Sequence, residues 1–370
     1  MESLIVNVDF CGTCRGTCPT CVLTKDERLT NAPLTTPDLV ISALMDIKNK
    51  YGSQHESFIF GFGRGNHLVL PEYTVEQMME IMDFIHENFD AHEYLIEVST
   101  SLVGKIIPQI ERAKLIIDKI SDRYHKFDIR YVVVANVGVS SPKYWENVFL
   151  FLNELKQHRG GDYDGNGDIV QVNLSIDNLP DLDWFESYFK DFSSPLNIAW
   201  VPSFDSNTGN KKFMDDFENW MLRFYEISIS NNLDTNIINW ALRSIKFNNF
   251  SLNELIDNAL HSSKSLLYID PYGVYHNGYP TIMADMDPVR FDPFAATLNN
   301  SERKSTLHNN GKDILNLLRN KSCRQCKYIS TCYHSGGYRI SLISMRYNEN
   351  NEPMCLNGLR KTFERIEENV

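Results

Sequence analysis

The chain has 370 residues, enough for about two domains, and its 42% hydrophobic and 23% charged residues allow an ordinary globular core. A formal net charge of -12 argues against a nucleic-acid partner, which needs a basic face. The opening MESLIVNVDF lacks a basic stretch ahead of a long apolar run, and no apolar segment reaches the ~18–20 residues needed to cross a bilayer. These features predict a cytoplasmic protein with no membrane segment.

Strand-like and helix-like segments alternate along the first two-thirds of the sequence. Short β-branched or aromatic runs occur at Leu4–Phe10, Ser57–Phe62, Tyr94–Ser99, Ile129–Ala135, Ile169–Ser175 and Asn197–Val201. Between the first two, Thr36 and Pro37 are suited to open a helix whose Leu39, Val40, Leu44, Met45 and Ile47 fall at helical spacing before Gly52. Thr74 and Gln77 form a capping box ahead of Val75, Met78, Met79, Met82 and Ile85. Ser141 and Pro142 start a helix with Trp145, Phe149 and Leu152 on one face. Six strands alternating with helices predict an α/β fold built as a partial (β/α)6 barrel, short of the eight units that close one. In such arrays ligand sites gather where the parallel strands end.

Beyond Phe204 the pattern changes. Helical segments are predicted near 212–229, 236–246 and 252–261, the last capped by Ser251 and Glu254. Leu266–Asp270 and Val274–Tyr275, joined by Pro271-Tyr272-Gly273, read as a hairpin. A polar loop (299–310), a cysteine cluster and a final helix follow. The expected organisation is therefore 1–204 for the array, 205–264 for a helical connection and 265–370 for a small C-terminal domain.

Eight cysteines in a reducing compartment point to metal or redox chemistry rather than structural disulfides. Cys14, Cys18 and Cys21 form C-x3-C-x2-C directly after the first strand, with Cys11 just ahead. Three close thiolates can hold three irons of a cubane and leave the fourth open, as a catalytic metal requires. Read from Cys11, the same run holds two C-x2-C pairs, a zinc alternative whose gap is shorter than zinc knuckles normally have. Cys11 is expected to be a small filler at the strand end.

The C-x3-C-x2-C loop in this position resembles the signature of the radical S-adenosylmethionine (SAM) superfamily. The resemblance implies a 4Fe–4S cluster on Cys14, Cys18 and Cys21 whose open iron is chelated by SAM, and reductive cleavage of SAM to a 5′-deoxyadenosyl radical that abstracts a substrate hydrogen. It also implies SAM contacts at later strand ends. Gly63, Gly65 and Asn66 resemble a variant of the family's Gly-Gly-Glu-like turn after strand two. Ser99 and Ser101 stand where relatives carry a polar turn near the SAM carboxylate and sugar, and Asn136 stands where a polar residue meets the ribose. Each of these also suits a helix cap or turn.

Near the other end, Cys323, Cys326 and Cys332 form C-x2-C-x5-C, with Cys355 further on. Four thiolates can close either a 4Fe–4S cluster or a tetrahedral zinc site. With the hairpin at 266–275, the arrangement resembles the SPASM extension of peptide-modifying radical SAM enzymes. Gly278-Tyr279-Pro280-Thr281 and Gly336 stand where further cysteines of the full extension would be, so the resemblance implies a single auxiliary cluster. The calcium-loop look of Asp162-Tyr-Asp164-Gly-Asn166-Gly167 is a decoy, because Asn173 occupies the position of the closing glutamate.

Together these readings predict a maturase of ribosomally made, post-translationally modified peptides. Its expected partners are a precursor peptide, an electron donor such as flavodoxin or ferredoxin, and a separate leader-recognition protein, since no leader-binding domain precedes the first strand. Crosslinking is favoured over epimerisation, because the only unassigned cysteine, Cys11, is poorly placed as a hydrogen donor. Oxidation of a small molecule is the other enzymatic outcome, and a zinc-binding interaction protein the non-enzymatic one. No side chain stands out in the sequence as the general base.

Overall fold

The computed structural model describes residues 3–9, 35–63, 68, 75–135, 142–160, 167–175, 179, 181–189, 196–201, 211–233, 235–247, 266–269, 272–277, 323, 325–334, 346–347, 353–354 and 359–369. Six β/α repeats run in chain order: β1 (Leu4–Asp9), α1 (Pro37–Tyr51), β2 (Gln54–Gly63), α2 (Val75–Asn88), β3 (Asp90–Thr100), α3 (Ile106–Arg123), β4 (Phe127–Ala135), α4 (Pro142–His158), β5 (Ile169–Ser175), α5 (Leu182–Phe189), β6 (Leu196–Val201) and α6 (Lys211–Ser230). The α/β class expected from the sequence is therefore present. β2 and β3 start earlier than predicted, at Gln54 and Asp90, because their polar first residues hide the strand pattern. The expected helix at 252–261 lies outside the described residues.

Packing divides the chain into two units. One comprises 1–134, 141–169 and 263–308; the other comprises 135–140, 170–262 and 309–370. In the first, β1 to β4 pair in parallel with a fixed register: Val6 faces Phe60, Phe60 faces Ile96, and Ile96 faces Ile129. β1 also pairs in parallel with β7 (Leu266–Ile269), which turns back into β8 (Tyr275–Asn277) as the predicted hairpin. Gly273 makes that turn possible. Its φ is 78°, and a Cβ there would lie 2.9 Å from Leu39 Cβ and 3.0 Å from Leu39 O.

Alternation along the strands builds the core of this unit. Leu4, Val6 and Val8, then Phe58, Phe60 and Phe62, then Tyr94, Ile96 and Val98, point to one face and are buried. Tyr131 continues that face on β4. Its ring meets Phe151 of α4 edge-on at 5.6 Å, and its hydroxyl donates to Ala113 O of α3 at 2.9 Å. This is the helix-covered face, and each buried phenylalanine contributes roughly 1.5–3 kcal/mol by removal from water. At the amino ends of the strands the packing is aromatic. Tyr94 stacks on Phe127 at 4.6 Å, and Tyr124 stacks on Phe127 at 4.7 Å.

A buried ion pair locks the connection that leads into β5. Arg159 and Asp168, 6% and 7% exposed, meet at 2.6 Å. Asp168 also accepts the Tyr131 N–H at 2.8 Å, and Arg159 donates to Ile129 O at 3.1 Å. Two backbone groups of β4 are thereby held by one charge pair.

In the second unit β5 pairs in parallel with β6, from Val170 facing Leu196 to Ser175 facing Val201. Helix α7 (Asn236–Phe247) packs against β6, against α8 (Ile329–His334) and against α9 (Leu359–Asn369), which also packs on α6. Buried Ser244 Oγ of α7 and Thr331 Oγ1 of α8 share a 2.9 Å hydrogen bond. β9 (Arg346–Tyr347) and β10 (Pro353–Met354) form a short antiparallel pair. No described helix is long and apolar enough to cross a membrane.

Candidate active site

Because β1 to β4 are parallel, their carboxyl ends share one edge of the sheet. Asp9 ends β1 in register with Gly63, which ends β2. Thr100, the last residue of β3, faces Val133 of β4. The C-x3-C-x2-C segment leaves the end of β1, the glycine-rich turn leaves β2, and Asn136 follows β4. Of the residues expected to bind the cluster or SAM, Gly63, Ser99 and Ser101 are described and stand at this edge. Cys14, Cys18, Cys21, Gly65, Asn66 and Asn136 lie outside the described residues, as does Cys11.

The connection between β3 and α3 is held at several points. Leu102 adopts φ 50°, a left-handed conformation that a branched side chain rarely takes. Its side chain is 1% exposed, so burial offsets the backbone cost. The Leu102 N–H donates to Thr100 Oγ1 at 3.2 Å. The Tyr144 hydroxyl of α4 donates to Ser101 O at 2.9 Å. The buried Gln109 amide of α3 donates to Val103 O at 3.1 Å and to Lys105 O at 3.0 Å. Gly104 supplies a second left-handed turn, at φ 100°. Ser101 therefore sits on a backbone fixed from both neighbouring helices, while Ser99 is held in β3 opposite Val132 of β4.

Sequence reasoning missed a polar layer on the face of the sheet opposite the helices. Tyr268, Asn7, Gly61, Glu97 and Arg130 stand side by side on β7, β1, β2, β3 and β4. Glu97 and Arg130 form a cross-strand ion pair, with side chains 21% and 19% exposed. Arg130 Nε is buried with no hydrogen-bond partner. The Asn7 amide lies over Gly61, where a Cβ would overlap Asn7 Oδ1. Next to it, toward the amino ends, Ile5, Ile59 and Leu95 form an apolar row that meets Asp128 on β4. The missed signal was a single polar residue between apolar neighbours of the other phase, as in Val6-Asn7-Val8 and Ile96-Glu97-Val98.

At the other cluster, Cys323 and Cys326 close one reverse turn, with the Cys326 N–H donating to Cys323 O at 3.0 Å. Cys332 lies on α8, its N–H donating to Tyr328 O at 2.8 Å. This segment is anchored on α9. The Tyr328 hydroxyl and Lys327 both donate to Glu367, and the Tyr328 ring meets Phe363 at 5.8 Å. Lys327 holds the Glu367 carboxyl below its ordinary range. Among the described residues no three His, Cys, Asp or Glu side chains form a metal-binding group, and Cys355, the fourth ligand expected, lies outside them.

No protein-family model matches the sequence, and no curated protein matches it. Solved structures do. The native enzyme anSMEcpe, an anaerobic sulfatase-maturating radical SAM enzyme with bound AdoMet, superimposes with a TM-score of 0.58 over 100% of this chain and 96% of its own, at 12% identity. The chain shares the α/β fold of this structure. A histidine-tagged form of anSMEcpe with bound AdoMet gives a TM-score of 0.55 at 13% identity, over 100% of this chain and 97% of its own. The form with bound AdoMet and the Cp18Cys peptide gives 0.52 at 12% identity, over 100% and 99%. At such identities it is the architecture, including the unclosed six-repeat array, that is shared.

Proposed function

We propose that this protein is a radical SAM enzyme that modifies a peptide. One observation carries the reading: a C-x3-C-x2-C segment leaves β1 at the edge where the parallel strands end, in a fold shared with an AdoMet-binding enzyme. Cys14, Cys18 and Cys21 would hold a 4Fe–4S cluster with one open iron, and SAM bound there would supply a 5′-deoxyadenosyl radical. Gly63, Gly65, Asn66, Ser99, Ser101 and Asn136 would hold SAM around it. Glycine suits close backbone approach to a ligand, and short hydroxyl or amide side chains suit its polar groups.

In this reading Cys323, Cys326, Cys332 and Cys355 hold one auxiliary cluster within a reduced SPASM-like module at 265–370. The peptide reading is supported by the neighbour solved with a peptide. The outcome proposed is a crosslink in a ribosomally made precursor, with flavodoxin or ferredoxin as electron donor and a separate protein recognising the leader.

Anaerobic purification tests the core of this. The protein should be brown and carry about eight irons per chain, the count for two cubanes. It should release 5′-deoxyadenosine from SAM once reduced with dithionite. A colourless preparation containing zinc, or none of either metal, refutes the proposal. About four irons with active SAM cleavage refutes only the auxiliary cluster.

A further inference from the structure

We infer that Tyr144 is a positioning residue for SAM: through the Ser101 carbonyl it holds the β3–α3 connection in the one conformation that presents Ser101, beside Ser99 at the end of β3, to the amino-acid end of the cofactor. The inference rests on the function proposed above and adds residues that act through the backbone of the turn.

The connection would not adopt this conformation by local preference. Leucine at φ 50° is disfavoured, and glycine would take the same backbone without strain. The strain persists because surrounding groups over-determine it. Thr100 Oγ1 accepts the Leu102 N–H, Gln109 takes the carbonyls of Val103 and Lys105, and Tyr144 takes the carbonyl of Ser101. Strained backbone that is held from several sides recurs at ligand sites, where it fixes geometry before the ligand arrives. Of these restraints only the Tyr144 hydroxyl comes from a later repeat, from α4. It therefore ties the turn to a rigid element beyond its own strand and helix.

The chemistry of the turn selects which part of SAM it serves. A ribose diol is held best by a carboxylate acceptor. Residues 99–105 contain no Asp or Glu, and their hydroxyls can donate to an anionic group. The amino-acid carboxylate is the anionic group of SAM.

The test compares two ligands on the cluster-loaded protein under anaerobic conditions, by calorimetry or equilibrium dialysis. SAM carries the amino-acid end; methylthioadenosine lacks it. Tyr144→Phe removes one hydroxyl, and the expected result is a SAM dissociation constant raised about five- to tenfold, the worth of one hydrogen bond. Methylthioadenosine affinity should stay within about twofold. Thr100→Val, which keeps the shape and removes the acceptor for Leu102, should give the same pattern and provides a second reading if Tyr144→Phe folds poorly. Unchanged SAM affinity in both variants overturns the inference, as does equal weakening of both ligands, which marks a general structural defect. If the wild-type protein binds no SAM, the proposed function itself falls; if it binds SAM and the variants do also, only the role of Tyr144 falls.

Discussion

Replacing Asp168 with alanine should be among the most damaging single changes outside the candidate site. The side chain pairs with Arg159 at 2.6 Å with both groups more than nine-tenths buried, and its second oxygen takes the Tyr131 N–H at 2.8 Å. Truncation takes the charge partner from a guanidinium in the interior that also donates to Ile129 O and lies 6.0 Å from the Tyr131 ring. Losing one member of a buried pair costs roughly 3–5 kcal/mol. The orphaned N–H would cost roughly 1–3 kcal/mol on its own, but the two penalties share one desolvated site. The expected loss is therefore about 4 kcal/mol rather than their sum. Arg159→Met combined with Asp168→Leu removes both charges and refills the space, so it should cost only about 1–2 kcal/mol, mostly from the N–H. Urea denaturation followed by tryptophan fluorescence reads both values without ionic screening, and buried Trp145 reports from the same unit. A cost below about 1 kcal/mol for Asp168→Ala, or a double variant no more stable than the single one, would refute this account.

Gly61→Ala should destabilise by about 1–3 kcal/mol through overlap with Asn7 Oδ1, and Asn7→Ala in the same chain should recover most of it; thermal unfolding of the three variants decides. Thr331→Val strands the Ser244 hydroxyl between α7 and α8 and should cost about 1 kcal/mol; in the holoprotein, iron content tells whether that contact also supports Cys332. Burial, together with Asp83 at Tyr124 and Asp168 at Tyr131, pushes the phenol groups of Tyr124 and Tyr131 above their ordinary range. Since the folded state favours the protonated phenol, their stabilisation is complete below the unfolded value near 10 and is lost as pH rises through the higher folded value. Absorbance at 295 nm should show both ionising only with unfolding, and an ordinary titration of every tyrosine in the native protein would contradict this.

The repeats were legible because alternation and capping carry most of the information in a parallel array. Thr36 and Pro37 marked the start of α1, Val75 the start of α2 and Pro142 the start of α4, and all three helices begin there. The hairpin at 266–277 was legible from its Pro/Gly turn. The helix at 106–123 was harder to read, because Pro108 lies within its first turn and Lys105 offers no side-chain cap. Of the candidate site, the motif residues could be named from the sequence. Tyr144, Gln109 and Leu102 could not, because their roles depend on contacts across 43 positions in one case and on a backbone angle in another. Glu97 and Arg130 were invisible for a related reason: their partnership exists only through strand register, which no local pattern specifies.

The layer those two residues belong to bears on why the array has six repeats and not eight. In a closed eight-stranded barrel, the interior is filled by bulky branched side chains stacked in layers. Here one layer of the sheet's second face holds an ion pair, an amide and a glycine, while Ile5, Ile59 and Leu95 stand next to it toward the amino ends. Stability alone does not account for this choice. A partly buried ion pair pays desolvation for both charges, and an apolar pair of the same volume is often as stable or more so. Glycine at position 61 forgoes a side chain that could pack. The polar layer begins about two residues short of the edge where β1 and β2 end at Asp9 and Gly63, roughly 7 Å along the strands. It thus lies directly beneath the edge that carries Ser99, Ser101 and the start of the cysteine segment. A polar row of this kind just below that edge suits a floor under a ligand held there, while Ile5, Ile59 and Leu95 behind it hold the strands together.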